Sequence, residues 1–142
     1  MNRHKLEQYV YIKQEREDLK QRIKKLEVQL DKIEEKGVVV DKVRGGEGNL
    51  KSFRIEGFPY PEYNKKKLLL RTNLEKLQKA ENKSIEMLNE IEEYISAIDD
   101  YLIVRIIRLR VIEGKSWNDV AQNIGGSTVD SVKKAYYRYV KG

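Results

Sequence analysis

Nine residues near the end of this 142-residue chain carry side chains suited to binding DNA. They are Ser127, Thr128, Asp130, Ser131, Lys133, Lys134, Tyr137, Arg138 and Lys141. Hydroxyl, ammonium and guanidinium groups donate hydrogen bonds to base edges and to phosphates. At about 100° per residue, most of the nine fall on a helix face opposite an apolar set. The pattern predicts a basic helix, starting at about residue 128, that enters the major groove of double-stranded DNA.

Different parts of this helix are expected to contact different parts of the DNA. A recognition helix meets base edges with its N-terminal residues. Base readout is therefore predicted for Ser127, Asp130, Ser131 and Lys134. Phosphate contacts, which give affinity without much specificity, are predicted for Lys133, Arg138 and Lys141.

Three side chains in this region leave two interpretations open. Asp130 can accept a hydrogen bond from a cytosine amino group, or it can be the acid that favours the first turn of a helix, which is the preferred role. Tyr137 points toward solvent, where a phosphate contact and simple exposure fit the sequence equally well. Trp117 can stack on a base, but in a short capped helix it is predicted to be a core residue.

Three short helices are predicted to position these residues. Asp99-Asp100 favours the start of the first helix, and Gly114 ends it by adopting the left-handed conformation. The segment Ser116-Trp117-Asn118-Asp119 has the form of a capping box and opens the second helix. Gly125-Gly126 makes a tight turn, and Ser127-Thr128 offers a cap to the third helix.

Apolar residues at helical spacing supply the predicted core of these three helices. The first helix contributes Tyr101, Leu102, Ile103, Ile106, Ile107 and Leu109. The second and third contribute Trp117, Val120, Ala121, Ile124, Val129, Val132, Tyr136, Tyr139 and Val140. Three helices joined by glycine-containing turns, the third of them basic, are typical of a helix-turn-helix DNA-binding domain, predicted here at 98–142.

The same segment resembles two known groups of transcription proteins. Its arginine-leucine-arginine, glutamate-glycine, tryptophan and valine-alanine positions are similar to region 4 of bacterial sigma factors. It resembles more closely the C-terminal part of small phage regulators of the RinA and ArpU type, from prophages of Gram-positive bacteria. The matching positions are Trp117, Ala121, Gly125, Gly126, Thr128, Asp130, Ser131, Val132, Lys133 and Lys134. The resemblance covers the last third of the chain and implies a transcriptional regulator of late or integration genes.

Two long amphipathic segments precede this domain. In residues 3–36 apolar side chains recur at alternating three and four positions, with a break at Arg16. The segment from about Lys65 to residue 98 repeats the pattern, with a break at Glu81 and Ser84. Two such seams of similar length predict an antiparallel coiled-coil hairpin within a mainly α fold.

The connector between the two seams has a different composition. Residues 37–64 contain β-branched valines, a glycine-rich turn at 45–49 and the alternating segment Phe53-Arg54-Ile55. These features predict a small β-hairpin insertion in the coiled-coil hairpin. The predicted domains are therefore 1–97 for the coiled-coil hairpin with its loop and 98–142 for the helix-turn-helix.

Composition narrows the class of protein. A net charge of +6, with 37% charged residues, favours a soluble protein drawn to polyanions. No apolar run approaches the roughly 20 residues that span a bilayer, and we expect a cytoplasmic protein in a bacterial host cell. His4, the only histidine, lies near a helix end expected to fray, and adjacent carboxylates diverge on a helix. We therefore expect no catalytic residues, metal or cofactor, and a protein that is not an enzyme.

These observations together predict a sequence-specific DNA-binding regulator of phage or prophage genes. Its expected partners are double-stranded DNA, the host RNA polymerase and a second copy of the chain, since two helices alone leave much apolar surface open. Two other functions remain open. One is a small terminase-like subunit for DNA packaging, and the other is an adaptor that binds polymerase through the long hairpin.

Overall fold

A computed structural model describes the backbone of residues 1–44 and 57–141, and the side chains of residues 1–36 and 57–141. The helices are α1 (Arg3–Arg44), α2 (Tyr60–Ser96), α3 (Tyr101–Ile107), α4 (Trp117–Ile124) and α5 (Val129–Tyr139). A π-helical turn, Arg108–Ile112, extends α3. Over this described part of the chain, no helix is both long and apolar enough to cross a membrane. The prediction of a mainly α fold is confirmed.

The predicted β-hairpin insertion is wrong. Across residues 1–44 and 57–141 the structure contains no strand, and α1 runs on through Gly37 and the valines that follow it to Arg44. Glycine inside a helix costs only about 1 kcal/mol relative to alanine. The packing of a long amphipathic helix can offset this cost. A two-stranded hairpin, in contrast, is marginal without further strands. The glycine-rich turn and Phe53-Arg54-Ile55 lie outside the described residues.

The second long helix begins five residues earlier than the sequence predicts. It starts at Tyr60 instead of near Lys65, with Pro61 in its first turn. Backbone amides in the first turn of a helix have no partner within the helix, so proline loses nothing there. The prolines therefore mark the start of α2 and do not delay it.

Contacts between residues divide the chain into two compact units: a first unit of Met1–Arg16 with Lys79–Gly142, and a second unit of Glu17–Gln78. In the second unit, α1 buries Leu19, Ile23, Leu26 and Leu30. The Tyr63 hydroxyl donates to Glu34 Oε1 at 2.5 Å, and Lys66 Nζ donates to Gln29 Oε1 at 3.1 Å. From Tyr63 to Lys66 the chain moves forward along α2, while the partner residue moves backward along α1 from Glu34 to Gln29. The two helices are therefore antiparallel here.

The first unit holds more of the chain than the helix-turn-helix segment alone. Its core includes Leu6 and Tyr9 of α1, together with Ile91 and Ile95 of α2. These side chains belong to the same buried cluster as the apolar residues of α3, α4 and α5. The predicted boundary between the two domains, after residue 97, lies inside this unit. The first four turns of α1 are thus part of the structure that carries α5.

The two breaks in the apolar seams meet inside the first unit. Arg16 Nη1 donates to Ser84 Oγ at 3.1 Å, and the Ser84 hydroxyl in turn donates to the Glu81 carbonyl at 2.9 Å. Ser84 is buried. A buried polar group is tolerated when it is hydrogen-bonded. The breaks at Arg16 and Ser84 therefore meet in one polar contact between α1 and α2, although Arg16 Nε is buried without a hydrogen-bond partner among the described residues.

Capping residues separate α3 from α2, where the sequence predicts a joint. Asp100 accepts hydrogen bonds from the backbone amides of Leu102, at 3.0 Å, and Ile103, at 3.4 Å. Gly114 has φ +69°, the left-handed conformation expected after a helix. The predicted joint before α3 and the predicted left-handed conformation of Gly114 are both confirmed. Tyr101, however, is 85% exposed, because the first turn of α3 points it away from the core formed by its neighbour Ile103.

Basic side chains fasten α3 and its π-helical turn to the two long helices. Arg108 makes a bidentate ion pair with Glu92 of α2, with both N–O distances at 2.9 Å. This pairing raises the pKa of Arg108. Lys13 of α1 donates from Nζ to the Ile112 carbonyl, at the end of the π-helical turn. Because helix-end carbonyls lack a partner within the helix, this bond stabilises the end of the element.

The buried phenol of Tyr136 predicts a loss of stability at high pH. Burial, with a smaller effect of Glu7, raises the pKa of Tyr136 from 10.0 to about 12. The unfolded chain ionises this group near pH 10, while the folded chain keeps the proton until about pH 12. The free energy of unfolding is therefore expected to be unaffected by this group below pH 10 and to fall by about 2–3 kcal/mol between pH 10 and 12.

Urea unfolding at several pH values between 8 and 12 measures this effect. In Tyr136→Phe the free energy of unfolding should decline much less between pH 10 and 12. The remaining decline comes from Tyr9 and Tyr94, whose pKa values are also raised by burial. An unchanged decline in Tyr136→Phe would exclude this tyrosine as the cause.

Candidate nucleic-acid interface

The turn between α4 and α5 has the geometry that the sequence predicts. At the start of α4, the Ser116 hydroxyl accepts a hydrogen bond from the Asp119 amide at 3.2 Å. Gly125 and Gly126 have φ values of +74° and +66°, which disfavour residues with a Cβ atom. At the start of α5, Thr128 Oγ1 accepts from the Ser131 amide at 3.1 Å. Two capped helices joined by a glycine turn form the helix-turn-helix.

The inner face of α5 holds this helix against the core of the first unit. Val132 and Tyr136 are buried, and Val129 packs at the edge of the same cluster. Tyr139 was expected in the core, but it is 44% exposed. Tyr139 is the last residue of α5, and the chain leaves the helix at Val140 with extended backbone. Val140 is buried in its place.

The outer face of α5 presents most of the predicted DNA-binding residues. Its exposed members are Asp130, Ser131, Lys134 and Arg138. Thr128 and Lys141 are also exposed, at the two ends of the helix, while Ser127 and Lys133 are half-buried. None of the ion pairs between described residues involves the cations of this set. The structure therefore brings these predicted residues together on one open surface.

Asp130 lies in the first turn of α5 and is exposed. The hydrogen bond that caps this helix comes from Thr128, while an acid in the first turn complements the positive end of the helix dipole. Both roles predicted for Asp130 are compatible with this position.

Tyr137 is more enclosed than a residue that simply faces solvent. Its ring lies 5.2 Å from Tyr136 and 6.1 Å from Trp117, measured between ring centroids. The guanidinium carbon of Arg3, in the first turn of α1, lies 5.1 Å from the centre of the Tyr137 ring. The ring is nevertheless 43% exposed. It is thus an aromatic residue that packs against its neighbours and remains partly exposed.

Trp117 is held by α5 and by the π-helical turn. Its ring meets Tyr136 edge-on at 5.3 Å, and the guanidinium carbon of Arg110 lies 4.7 Å from its centre. Arg110 Nη1 also donates to the Lys115 carbonyl at 3.0 Å. Trp117 packs against the core cluster, as predicted. Arg108 and Arg110 therefore both have contacts within the protein.

The helix-turn-helix segment has more basic than acidic side chains. Residues 101–142 contain three acidic side chains, Glu113, Asp119 and Asp130. Their eight basic side chains are Arg105, Arg108, Arg110, Lys115, Lys133, Lys134, Arg138 and Lys141. The net charge of this segment is +5, whereas the first unit as a whole has 14 basic and 12 acidic side chains, a net charge of +2. The excess within the segment favours local contact with polyanions.

Sequence reasoning missed Arg3 as a neighbour of this surface. Its backbone amide donates to the Lys141 carbonyl at 3.2 Å, in addition to the contact with Tyr137. Residues so far apart along the chain give no local signal of proximity. The one available sign was the apolar pattern of α1, which begins at Leu6 and continues into the core of the first unit.

The cap of α5 gives a test of this geometry. Thr128→Ala removes the oxygen that accepts from the Ser131 amide, and we expect it to lower the free energy of unfolding by about 1 kcal/mol. Thr128→Ser keeps the acceptor and should retain most of the stability. Ser127→Ala is the matched control, because the Ser127 hydroxyl does not cap the helix. Urea denaturation measures all three, and an equal loss in Ser127→Ala would contradict this assignment of the cap.

Comparisons of this chain with protein-family models, with curated proteins and with solved structures find no match.

Proposed function

We propose that this protein is a sequence-specific DNA-binding regulator of transcription that reads the major groove with α5. The observation that supports this most is the combination of a capped helix-turn-helix with an open outer face on its second helix. That face carries Ser131, Lys134 and Arg138, all exposed, on a helix whose opposite face is buried. A helix of this kind fits the major groove and can donate to base edges and phosphates.

The proposed contacts divide along the helix. Asp130, Ser131 and Lys134 lie within its first six residues, and Ser127 lies just before its cap. All four are proposed to read base edges. Lys133, Arg138 and Lys141 are proposed to bind phosphates, with Lys133 reaching from a half-buried position along its aliphatic stem. Thr128 caps the helix and can still donate its hydroxyl proton to a phosphate.

The proposed genes are those of a phage or prophage, controlled from the cytoplasm of the bacterial host. This part of the proposal depends on the resemblance of the last third of the chain to small phage regulators. The long helices are proposed to set the spacing between two copies of the chain or to contact the host RNA polymerase. A protein with these functions needs no cofactor or catalytic group.

Selection of bound duplexes from fragmented genomic DNA tests sequence specificity. The wild-type protein is expected to enrich a small set of fragments that share a motif, and Ser131→Ala should weaken or broaden that motif. Lys32→Ala, on an exposed position of α1, is the matched control and should leave the motif unchanged. Retention of all fragments in proportion to their length would show binding without readout and would contradict a sequence-specific regulator.

A further inference from the structure

We propose that Arg3 is a DNA phosphate contact, so that the first turn of α1 belongs to the DNA interface. This inference rests on the proposed function and extends it to a residue outside the helix-turn-helix. It follows from the contacts that Arg3, in the first turn of α1, makes with Tyr137 in the last turn of α5 and with Lys141 just after this helix. The Arg3 amide donates to the Lys141 carbonyl at 3.2 Å, and the Arg3 guanidinium lies over the Tyr137 ring at 5.1 Å.

The way Arg3 is held leaves its hydrogen-bond donors available. A guanidinium group that stacks on an aromatic ring keeps the N–H groups along its edge free to bind an anion. The side chain is 42% exposed. Its ion pair with Glu7, at 3.8 Å from Arg3 Nε, is a solvent-exposed surface contact, and such pairs are weak. A phosphate can therefore compete for this guanidinium.

The surroundings of Arg3 favour an anion. Lys141 and Arg138 are exposed at the same end of α5, and Glu7 is an acid paired with Arg3 at the surface. The helix has 11 residues and is about 16 Å long, whereas the major groove is about 12 Å wide. When its first turn reads bases, its last turn lies near the phosphate backbone. Arg3 would then bind a phosphate beside those contacted by Arg138 and Lys141.

A purely structural Arg3, which only holds α1 against α5, is the competing interpretation. The two roles differ in their salt dependence. Each lost phosphate contact lowers the slope of log Kd against log salt concentration by about one. A structural role changes stability but not the number of counterions released. The salt slope therefore reports on the contact itself.

The experiment measures binding of the full chain to a mixed-sequence duplex by fluorescence anisotropy at several salt concentrations. Arg3→Gln is expected to lower the slope by about one. Arg3→Lys keeps the charge and should keep the slope. Lys25→Gln removes an exposed charge of α1 in the second unit and should change nothing. Thermal unfolding of each variant reports its stability separately.

A wild-type slope in Arg3→Gln would overturn the proposal, and so would an equal loss of affinity in Arg3→Gln and Arg3→Lys at a constant slope. The outcome for Arg3 is separate from that of the proposed function. If Lys134→Ala lowers the slope while Arg3→Gln does not, the proposed function stands and the role of Arg3 is wrong. If the wild-type protein does not bind the duplex, the proposed function itself is wrong.

Discussion

Lys134→Ala combined with Arg138→Ala is expected to reduce affinity for duplex DNA by about 10- to 100-fold at moderate salt. Both side chains are exposed on the outer face of α5, and neither is in an ion pair with a described residue. Removing them deletes two positive charges from the surface proposed to meet the DNA. The slope of log Kd against log salt should fall by about two. Fluorescence anisotropy titrations at several salt concentrations give both quantities.

The matched control is Lys25→Ala combined with Lys32→Ala. These two lysines are exposed on α1 in the second unit, so the control loses the same charge. A general attraction between a basic protein and DNA would weaken equally in both double variants. The proposed interface predicts the effect in the α5 variant alone. Wild-type transcriptional activity in Lys134→Ala with Arg138→Ala would instead favour the polymerase-binding adaptor.

Leu6→Ala is expected to lower the free energy of unfolding by about 2–5 kcal/mol. Leu6 is 0% exposed and belongs to the buried cluster that also contains Val132 and Tyr136 of α5. Removing its branched side chain leaves a cavity among residues of α1, α2 and the helix-turn-helix. The prediction therefore tests whether the first turns of α1 belong to the core of the first unit. Urea denaturation measures the change.

Leu68→Ala provides the matched control, since the same substitution is made on a side chain that is 63% exposed. We expect a change of about 0.5 kcal/mol or less there. If the two variants lost similar amounts, α1 would not be part of this core. A helix-turn-helix at 98–142 that folds without α1 would then be the better description.

Much of the helix-turn-helix can be predicted from local sequence. Asp100, Ser116 and Thr128 cap helices where the pattern places caps, and Gly114 has the left-handed backbone expected of it. These features depend on a few neighbouring residues, so a short stretch of sequence contains the whole signal. The residues on the outer face of α5 could be predicted for the same reason, since helical spacing determines which side chains lie opposite the apolar ones.

Features that depend on contacts between distant residues could not be predicted in this way. The pairing of Arg16 with Ser84 shows as two breaks in the sequence, but only the structure joins them. The same holds for Arg3 and Tyr137. The prediction of a β-hairpin was wrong for a related reason. The valines after Gly37 favour a strand only when partner strands are present to pair with it. There, the continuing helix of α1 determines the backbone as far as Arg44.

Salt dependence of wild-type binding to duplex DNA is the most direct test of the central proposal. Kd is measured by fluorescence anisotropy on one genomic duplex that the protein enriches and on a scrambled duplex, between about 50 and 200 mM salt. A DNA-binding surface built from Lys133, Lys134, Arg138 and Lys141 predicts that Kd rises steeply with salt on both duplexes and remains lower on the enriched one. No binding, or a Kd that does not change with salt, would contradict the proposed function.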